Sequence, residues 1–381
     1  MHIVILTSEY TRRDLVKNRP FVQQQALALA KTHQVTVLAP ELARWGDVRE
    51  QLCPSSLEET GVVYRPRCWY GRGIWWLFYL LTCFWCARQI DWTTVDVVHA
   101  HFAIPAGFTA ALLSRWYRKP FVLTKHTANF KALVASWPRR WLVGWTIKQA
   151  RRVLVVSQAA QQEIERGGIT APFVVVPNIV NPKVFFLPPP ELARDSSVIH
   201  LLWVGSLAPH HYRRKGGPEL LQALALVRSR LTTGTHLTLV GDGEARAEAE
   251  AFAKQLGVAN ACHFAGALSH LDVRDQMQRC DALVLPSHHE TFGVVLIEAM
   301  ACGRPVITTC CGGPEEIVPP GMGILVEPGN PQALAEAIVR LIKELGDFDP
   351  ARISAYAHDR FNPERVANML TQVYTQVIAL S

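Results

Sequence analysis

The chain has 381 residues, of which 49% are hydrophobic and 19% are charged. This composition is that of a globular protein and excludes a disordered chain, which would combine low hydrophobicity with high net charge. A chain of this length is too long for one compact core and predicts two domains of roughly 150–200 residues each.

The net charge of +7 is unevenly distributed along the chain. Residues 1–183 carry 23 lysines and arginines against 11 acidic residues, whereas residues 184–381 carry 16 against 21. No acidic residue occurs between Asp96 and Glu163, although ten basic residues do. This excess predicts an anionic partner for the N-terminal half, and nucleic acid, anionic lipid and a phosphorylated acceptor all fit on charge alone.

The nine cysteines are an odd number without the paired spacing of zinc ligands. They predict reduced packing residues in a cytosolic protein, rather than a disulfide framework or a metal site. The first ten residues lack a charged leader and a cleavage site, and predict a buried strand rather than a signal peptide. No apolar stretch reaches the roughly 20 residues that span a bilayer.

Strands and helices alternate in the N-terminal half in the order that a parallel sheet requires. The predicted strands are His2–Leu6, Val35–Leu38, Val95–His99, Phe121–Thr124, Arg152–Val156 and Phe173–Val176. The predicted helices are Phe21–Lys31, Ala106–Trp116, Trp141–Ala150 and Gln158–Arg166.

A strongly aromatic run covers residues 69–85 and contains four tryptophans. Four more tryptophans, at positions 116, 137, 141 and 145, are set among arginines. One interpretation is an interfacial surface, because tryptophan prefers the headgroup level and clustered basic residues attract anionic lipid. The other is a large buried helix beneath a basic, solvated face.

A proline-rich segment that runs from Pro177 to Pro190 predicts the connection between two domains, since it can continue neither a helix nor a central strand. The alternation then resumes. The predicted strands are His200–Val204, His236–Val240, Cys262–Ala265, Ala282–Leu285 and Val306–Thr309, and the predicted helices are Pro218–Arg230, Glu244–Leu256, Leu271–Arg279, Leu334–Glu344 and Glu364–Leu380. We expect a first domain over 1–185, a linker over 186–197, a second domain over 198–360 and a tail helix over 361–381.

Two glutamates, Glu290 and Glu298, are separated by seven residues that include a turn into an apolar helix. The helix is predicted to begin near Thr291 and Phe292, with Gly293 in its first turn. Free N–H groups in such a turn favour an anion. Two carboxylates and an anion cradle suit the sugar, diphosphate and ribose of a nucleotide-sugar. An ordinary amphipathic helix with a solvent-facing Glu298 explains the same pattern.

The segment resembles the signature of the retaining glycosyltransferases with two Rossmann-like domains (GT-B), in particular glycosyltransferase family 4. In that family the glutamate pair is followed by a small-Gly-x-Pro-Val strand and a Gly-Gly-x-x-Glu turn. Residues 301–306, Ala-Cys-Gly-Arg-Pro-Val, and residues 312–316, Gly-Gly-Pro-Glu-Glu, occupy these places. The resemblance implies an α/β fold with parallel sheets facing a central cleft and a C-terminal helix that crosses back to the N-terminal domain.

The resemblance also implies the site residues. The expected catalytic residues are His126, which would orient the donor sugar from across the cleft, and Glu290, which would bind sugar hydroxyls. Glu298 would accept both ribose hydroxyls. The expected donor-binding residues are Ser206, Lys215, Gly216, Ala267, Leu268, Glu290, Phe292, Gly293, Val294 and Glu298.

The chain departs from the family pattern at two places. Ser206 stands where the family has an arginine that grips the diphosphate, and Arg213 or Arg214 is the candidate substitute. The loop after the first strand lacks the usual glycine, so Lys17 or Arg19 would face the cleft instead.

Three other polar residues are assigned to structure rather than to chemistry. Asp242 is interpreted as the cap of the next helix, and His99 and His101 as core residues.

The implied reaction is the transfer of a hexosyl unit from a UDP- or GDP-linked sugar to an acceptor hydroxyl, with retention and without a metal or another cofactor. The acceptor would be a glycan or a lipid-linked molecule in glycolipid, polysaccharide or cell-envelope synthesis. We expect a cytoplasmic protein, free or peripheral on the inner face of the membrane, and no nucleic-acid partner. Two other classes stay open: a sugar-nucleotide epimerase or hydrolase on the same fold, and a non-catalytic membrane- or nucleic-acid-binding scaffold.

Overall fold

A computed structural model describes residues 1–8, 10, 21–43, 53, 55–69, 75–126, 130, 134–189, 198–230 and 234–380. They form two compact units. The first comprises Met1–Ile179 and Pro363–Ser381, and the second comprises Val180–Asn362. Residues 180–185, which the sequence assigned to the first domain, therefore belong to the second unit.

An eight-stranded sheet organises the first unit, in the order β10-β9-β8-β7-β1-β2-β5-β4. Its strands are parallel except for the pair β4–β5, and β3 and β6 form a separate short parallel ladder. The strands are β1 (His2–Thr7), β2 (Gln34–Leu38), β3 (Glu41–Ala43), β4 (Ser55–Glu58), β5 (Gly61–Tyr64), β6 (Arg67–Trp69), β7 (Val97–His101), β8 (Phe121–Lys125), β9 (Arg152–Val155) and β10 (Phe173–Val175).

The helices of the first unit include the tail of the chain. They are α1 (Phe21–Ala30), α2 (Trp75–Ala87), α3 (Phe108–Tyr117), α4 (Trp137–Gln149), α5 (Gln158–Arg166) and α14 (Pro363–Ala379). The tail helix α14 packs on α1 and buries Val366, Leu370 and Tyr374 in the core of this unit. Each such apolar side chain contributes about 1.5–3 kcal/mol when it is fully buried.

Strand β7 begins two residues later than the sequence predicted. Asp96 precedes it, and the Asp96 carboxylate accepts the His2 backbone N–H while the Asp96 N–H donates to the His2 carbonyl. The ladder with β1 therefore starts at Val97 and runs to His101. This register brings both histidines of the segment into the sheet.

A six-stranded, wholly parallel sheet organises the second unit, in the order β13-β12-β11-β14-β15-β16. The strands are β11 (Val198–Val204), β12 (Gly234–Val240), β13 (Cys262–Gly266), β14 (Ala282–Leu285), β15 (Val306–Thr309) and β16 (Gly323–Val326). The helices are α6 (Pro209–Arg214), α7 (Gly217–Arg230), α8 (Arg246–Gln255), α9 (His270–Arg279), α10 (Val294–Ala301), α11 (Pro314–Ile317), α12 (Pro331–Lys343) and α13 (Pro350–Phe361).

Four of these elements, α6, α11, α13 and β16, were not predicted. The start of α13 carried ordinary signals, because the Asp349 carboxylate accepts the N–H groups of Ala351 and Arg352 and Pro350 occupies the first helical position. Helix α6 has six residues, of which only Tyr212 is buried, so it presents no apolar stripe to recognise.

The prediction that all cysteines are reduced is wrong for one pair. Cys53 and Cys86 form a disulfide across 33 residues of sequence, whereas the other seven cysteines are free. A pairing at this separation leaves no local spacing signal in the sequence.

Within the described part of the chain, the helices are all too short or too polar to cross a membrane.

Gly216 connects α6 to α7 with a left-handed backbone, at φ 67°. A Cβ atom there would lie 1.9 Å from the carbonyl oxygen of Pro286, the residue that follows β14. The loop after β11 can approach the loop after β14 only because this position has no side chain.

We expect Gly216→Ala to lower the free energy of unfolding by at least about 2 kcal/mol, because backbone strain and a clash with Pro286 add up. Gly257→Ala is the matched control, since Gly257 has φ 71° and a Cβ atom added there would meet nothing within 4 Å. That control should cost about 1 kcal/mol, the left-handed penalty alone. Urea unfolding of both variants measures the difference, and equal losses would contradict the close approach.

Candidate active site

The candidate site of the second unit lies at the carboxyl ends of β11, β14 and β15. The chain starts this sheet at β11, extends it on one side through β12 and β13, and then returns to place β14 on the other side. Such a reversal is where open α/β sheets bind ligands, because the two neighbouring loops diverge there. The loop after β11 carries Lys215, and the loop after β14 carries Glu290.

Lys215 and Glu290 form a largely buried ion pair at this point. The Lys215 Nζ lies 3.4 Å from Glu290 Oε2, and the two side chains are 17% and 11% exposed. Burial opposes the charged form of Glu290. The nearby charges of Lys215 and Arg214, with hydrogen bonds from Lys215 and the Phe292 N–H, outweigh burial and hold the pKa of the carboxyl below its usual value. Glu290 is therefore ionised at neutral pH.

Glu298 lies on α10 in a different electrostatic environment. Its side chain is 7% exposed, and burial raises the pKa of its carboxyl to about 8, which the charge of Lys215 only partly opposes. The Nε2 atom of His270 lies 3.6 Å from Glu298 Oε1. The two glutamates of the motif thus differ in protonation near neutral pH, as the acid and base groups of many active sites do.

Helix α10 begins at Val294, which corrects the predicted start near Thr291 and Phe292. Gly293 precedes the helix in a left-handed conformation, with φ 91°. The Phe292 ring is buried and meets Phe361 edge to face, with ring centroids 5.8 Å apart. Its N–H group is bonded to the Glu290 carboxylate, so this donor belongs to the loop rather than to the helix.

The glycine turn after β15 fixes the backbone of Glu290. The Gly313 N–H donates to the Glu290 carbonyl at 2.7 Å, and the Glu315 carboxylate accepts the Gly312 N–H at 2.9 Å. The predicted Gly-Gly-x-x-Glu turn therefore holds the backbone beside the first glutamate, through Gly313 and through Glu315, which occupies a variable position of the pattern.

The structure distinguishes the two arginines offered as substitutes at Ser206. Arg214 donates to the His289 carbonyl at 2.8 Å and contributes to the low pKa of Glu290. Arg213 is exposed and pairs with Glu248 at 3.0 Å. Helix α6 aims the two neighbouring side chains in different directions, and Arg214 is the one that it brings to the site. Ser206 itself is exposed, and its hydroxyl accepts the Ala208 N–H.

Ala267 and Leu268 follow β13, two strands away from β11 in the sheet. Ala267 is exposed and Leu268 is half-buried.

The prediction that Asp242 caps a helix is wrong. Helix α8 begins at Arg246 without a side-chain cap, and the Asp242 carboxylate accepts the adjacent Gly243 N–H.

His126 lies in the first unit, directly after β8. Its Nε2 is 2.9 Å from His101 Nδ1, and the two rings stack with their centroids 5.2 Å apart. His99 and His101 are fully buried, which confirms their assignment to the core. Lys17 and Arg19 lie outside the described residues.

Tyr374 joins the tail helix to this histidine cluster. Its hydroxyl lies 2.7 Å from His99 Nδ1, while His99 Nε2 lies 2.6 Å from the Thr124 hydroxyl. Burial lowers the pKa of His99 to about 3, so this ring is neutral across the physiological range.

His270 was not predicted from the sequence. Its contact with Glu298 spans 28 positions and arises only when α9 packs on α10.

Among the residues that the structure describes, no group of three or more His, Cys, Asp or Glu side chains could hold a metal ion.

Each half of the chain matches a family of known proteins. The family model described as glycosyl transferases group 1 matches residues 199–344, and the model described as Glycosyltransferase Family 4 matches residues 20–184. A glycogen synthase of Mycobacterium tuberculosis is 31% identical over 302 residues, which cover 73% of this chain and 68% of that protein. An uncharacterised glycosyltransferase of Methanocaldococcus jannaschii is 29% identical over 266 residues, 69% of this chain and 70% of that one.

Solved structures share the fold over the full length. A sucrose-phosphate synthase from Thermosynechococcus elongatus superposes with a TM-score of 0.79 at 21% identity and covers 100% of both chains. The Anabaena protein HepE, solved with UDP, gives a TM-score of 0.77 at 21% identity, covering 99% of this chain and 100% of that one. The chain is a GT-B protein and belongs to the group 1 and family 4 glycosyltransferases.

Proposed function

We propose that this glycosyltransferase moves a hexosyl unit from a nucleotide-sugar to an acceptor hydroxyl, with retention at the anomeric carbon and without a metal ion. The observation that carries the proposal is the buried Lys215–Glu290 ion pair beside Glu298 at the switch point of the second sheet. This arrangement brings together one cation that can bind a diphosphate and two carboxyl groups that can bind hydroxyls.

The cations act on the leaving diphosphate. Negative charge grows on that group as the glycosidic bond breaks, and preorganised positive groups in a partly dry site stabilise the developing charge. Lys215 offers a point charge, and Arg214 offers a planar group that can bind two oxygens at once. Arg214 in this role would replace the arginine that the family has at the position of Ser206.

The carboxyl groups act on hydroxyls. Glu290 is held ionised and can accept hydrogen bonds from the hydroxyls of the sugar, while Glu298 would accept those of the ribose. His126 would orient the sugar, and neither glutamate serves as a nucleophile. Both UDP- and GDP-linked sugars fit this chemistry. HepE was also solved with UDP-glucose, which makes a UDP-linked sugar the first donor to test.

The acceptor is proposed to be a glycan or a lipid-linked molecule, and the protein to work in the cytoplasm at the inner face of the membrane. The observation behind this is a tryptophan surface on the first unit, which we define as Trp76, Leu77, Leu81, Trp85 and Trp116. These side chains are 39–73% exposed. Phe84 meets Trp116 edge to face at 6.4 Å, so the surface continues from α2 onto α3.

Basic residues border the tryptophan surface. Arg88 lies over the Trp85 ring, 5.7 Å from its centroid, and Arg115 and Arg118 are exposed beside Trp116. Exposed aromatic rings bordered by arginines match the interface of an anionic bilayer. This complementarity favours lipid over a protein partner.

Arg214→Gln tests the diphosphate role. We expect it to weaken binding of the best nucleotide-sugar about tenfold or more, because a charge-assisted hydrogen bond in a buried site contributes about 1.5–3 kcal/mol. Arg213→Gln is the matched control and should change affinity less than about twofold, since it loses only an exposed ion pair. Calorimetric titration with UDP- and GDP-sugars measures both. Equal effects would refute the assignment of Arg214, and a wild-type protein that binds no nucleotide-sugar would refute the donor proposal itself.

Trp76→Ser combined with Trp85→Ser tests the tryptophan surface. We expect the double variant to bind vesicles of phosphatidylcholine and phosphatidylglycerol at least about tenfold more weakly than the wild type, because two large apolar groups no longer enter the interface. Leu57→Ser is the control, an exposed apolar residue on the edge strand β4. Vesicle flotation measures the difference in binding. Failure of the wild-type protein to bind these vesicles at low salt would overturn the proposal.

A further inference from the structure

Ribose recognition by Glu298 raises a protonation problem. A carboxylate can accept hydrogen bonds from two ribose hydroxyls, whereas a neutral carboxyl group must use one of its oxygens as a donor. Burial raises the pKa of Glu298 to about 8, so in the free site the group carries a proton at neutral pH. If nothing in the site takes this proton, it must leave for solvent whenever the donor binds.

His270 is placed to take that proton. It occupies the first position of α9, and its Nε2 atom lies 3.6 Å from Glu298 Oε1, about half an ångström beyond a normal hydrogen bond. Phe185, fully buried, meets the imidazole edge to face with ring centroids 5.2 Å apart. This packing fixes the plane of the ring and keeps Nε2 directed at the carboxyl group.

We propose that His270 is a positioning residue that receives the Glu298 proton when the donor ribose binds, so that the pair presents a carboxylate to the ribose without losing a proton to solvent. The inference rests on the proposed ribose role of Glu298. In the step, the O–H bond at Glu298 Oε1 breaks and an N–H bond forms at His270 Nε2. The neutral imidazole accordingly carries its own proton on Nδ1. The products are a carboxylate and an imidazolium, so the net charge of the site is unchanged.

Electrostatic interactions decide whether the ion pair of a Glu298 carboxylate and a His270 imidazolium can form. Burial lowers the pKa of His270, which by itself disfavours the imidazolium. Attraction between opposite charges 3.6 Å apart favours the ion pair and opposes the burial of both groups. In the free site burial keeps the pair neutral, and the hydrogen bonds that the ribose hydroxyls donate to the carboxylate shift the balance to the ion pair when the donor binds.

The other groups around the pair do not compete for the proton. The Lys215 ammonium acts on Glu298 as a fixed positive charge. Burial raises the pKa of the Cys302 thiol to about 12, so it stays protonated. Arg274, on the same helix as His270, lies close enough to Cys302 to act on that thiol, and a guanidinium group offers no acceptor for the proton.

The number of protons released on donor binding tests the inference. Calorimetric titrations near pH 7 in buffers of different ionisation enthalpy count these protons. The probes are UDP-glucose and GDP-mannose, whose diphosphates are diesters that do not titrate near neutrality. We expect the wild type to release about none. His270→Phe, which keeps a ring against Phe185, should release about one proton. It should also bind about tenfold more weakly near pH 7 than near pH 9, because about nine-tenths of Glu298 is protonated at pH 7 and about one-tenth at pH 9.

Further variants distinguish proton transfer to His270 from a purely structural role of this residue. His270→Gln should behave like His270→Phe, and Glu298→Gln should release no proton whether His270 is present or replaced. His236→Phe, an exposed histidine on β12, should match the wild type. A purely structural role for His270 would change affinity or stability without changing the proton count.

The outcomes are distinct. Release of about one proton by the wild type, or of none by His270→Phe, would overturn the role of His270. Failure of the wild type to bind either nucleotide-sugar, or unchanged binding by Glu298→Gln, would instead overturn the donor function on which it rests.

Discussion

The Lys215 ammonium group acts on the charge state of both glutamates of the candidate site. Moving a carboxylate out of water costs several kcal/mol unless a nearby cation and hydrogen bonds offset the loss. Lys215 provides this for Glu290, together with Arg214 and the Phe292 N–H, and that glutamate stays ionised. It offsets the burial of Glu298 only in part, and the second glutamate keeps its proton. Because Arg214 and the Phe292 N–H add to Lys215 at Glu290 alone, two chemically identical residues have different properties.

The backbone around the site explains how these groups come together. Gly216 lets the loop after β11 touch Pro286, and the Gly312–Gly313 turn after β15 holds the Glu290 carbonyl. Three neighbouring strands thus each contribute one loop, and each loop depends on a glycine or on a backbone hydrogen bond rather than on a flexible side chain. Such rigidity suits a site that must hold charges in fixed positions while a glycosidic bond breaks.

The sequence predicted much of this because its signals are local. The strands Ala282–Leu285 and Val306–Thr309 are short apolar or β-branched runs bounded by Asp281, Pro286 and Pro305, and the structure has both at the predicted bounds. The glutamate pair and the Lys215-Gly216 step lie at strand-to-helix junctions, where motif spacing is informative.

The remaining features depend on long-range packing. Helix α6 has no apolar periodicity, so the different directions of Arg213 and Arg214 could not be inferred from the sequence. The approach of His270 to Glu298 and the Cys53–Cys86 disulfide each join separate elements. The left-handed Gly293 delays the start of α10 by two to three residues because the Phe292 N–H bonds Glu290 instead.

Acceptor-dependent release of nucleoside diphosphate distinguishes glycosyl transfer from hydrolysis and from loss of catalysis. The purified protein is incubated with UDP- and GDP-sugars, with and without a glycan and lipid extract, and the released nucleotide is measured. We expect release that requires the extract and falls about a hundredfold or more in Lys215→Ala, where the leaving diphosphate loses its cation. Release that proceeds equally without any acceptor would contradict transfer and point to a hydrolase, and release that is unaffected by Lys215→Ala would contradict the site.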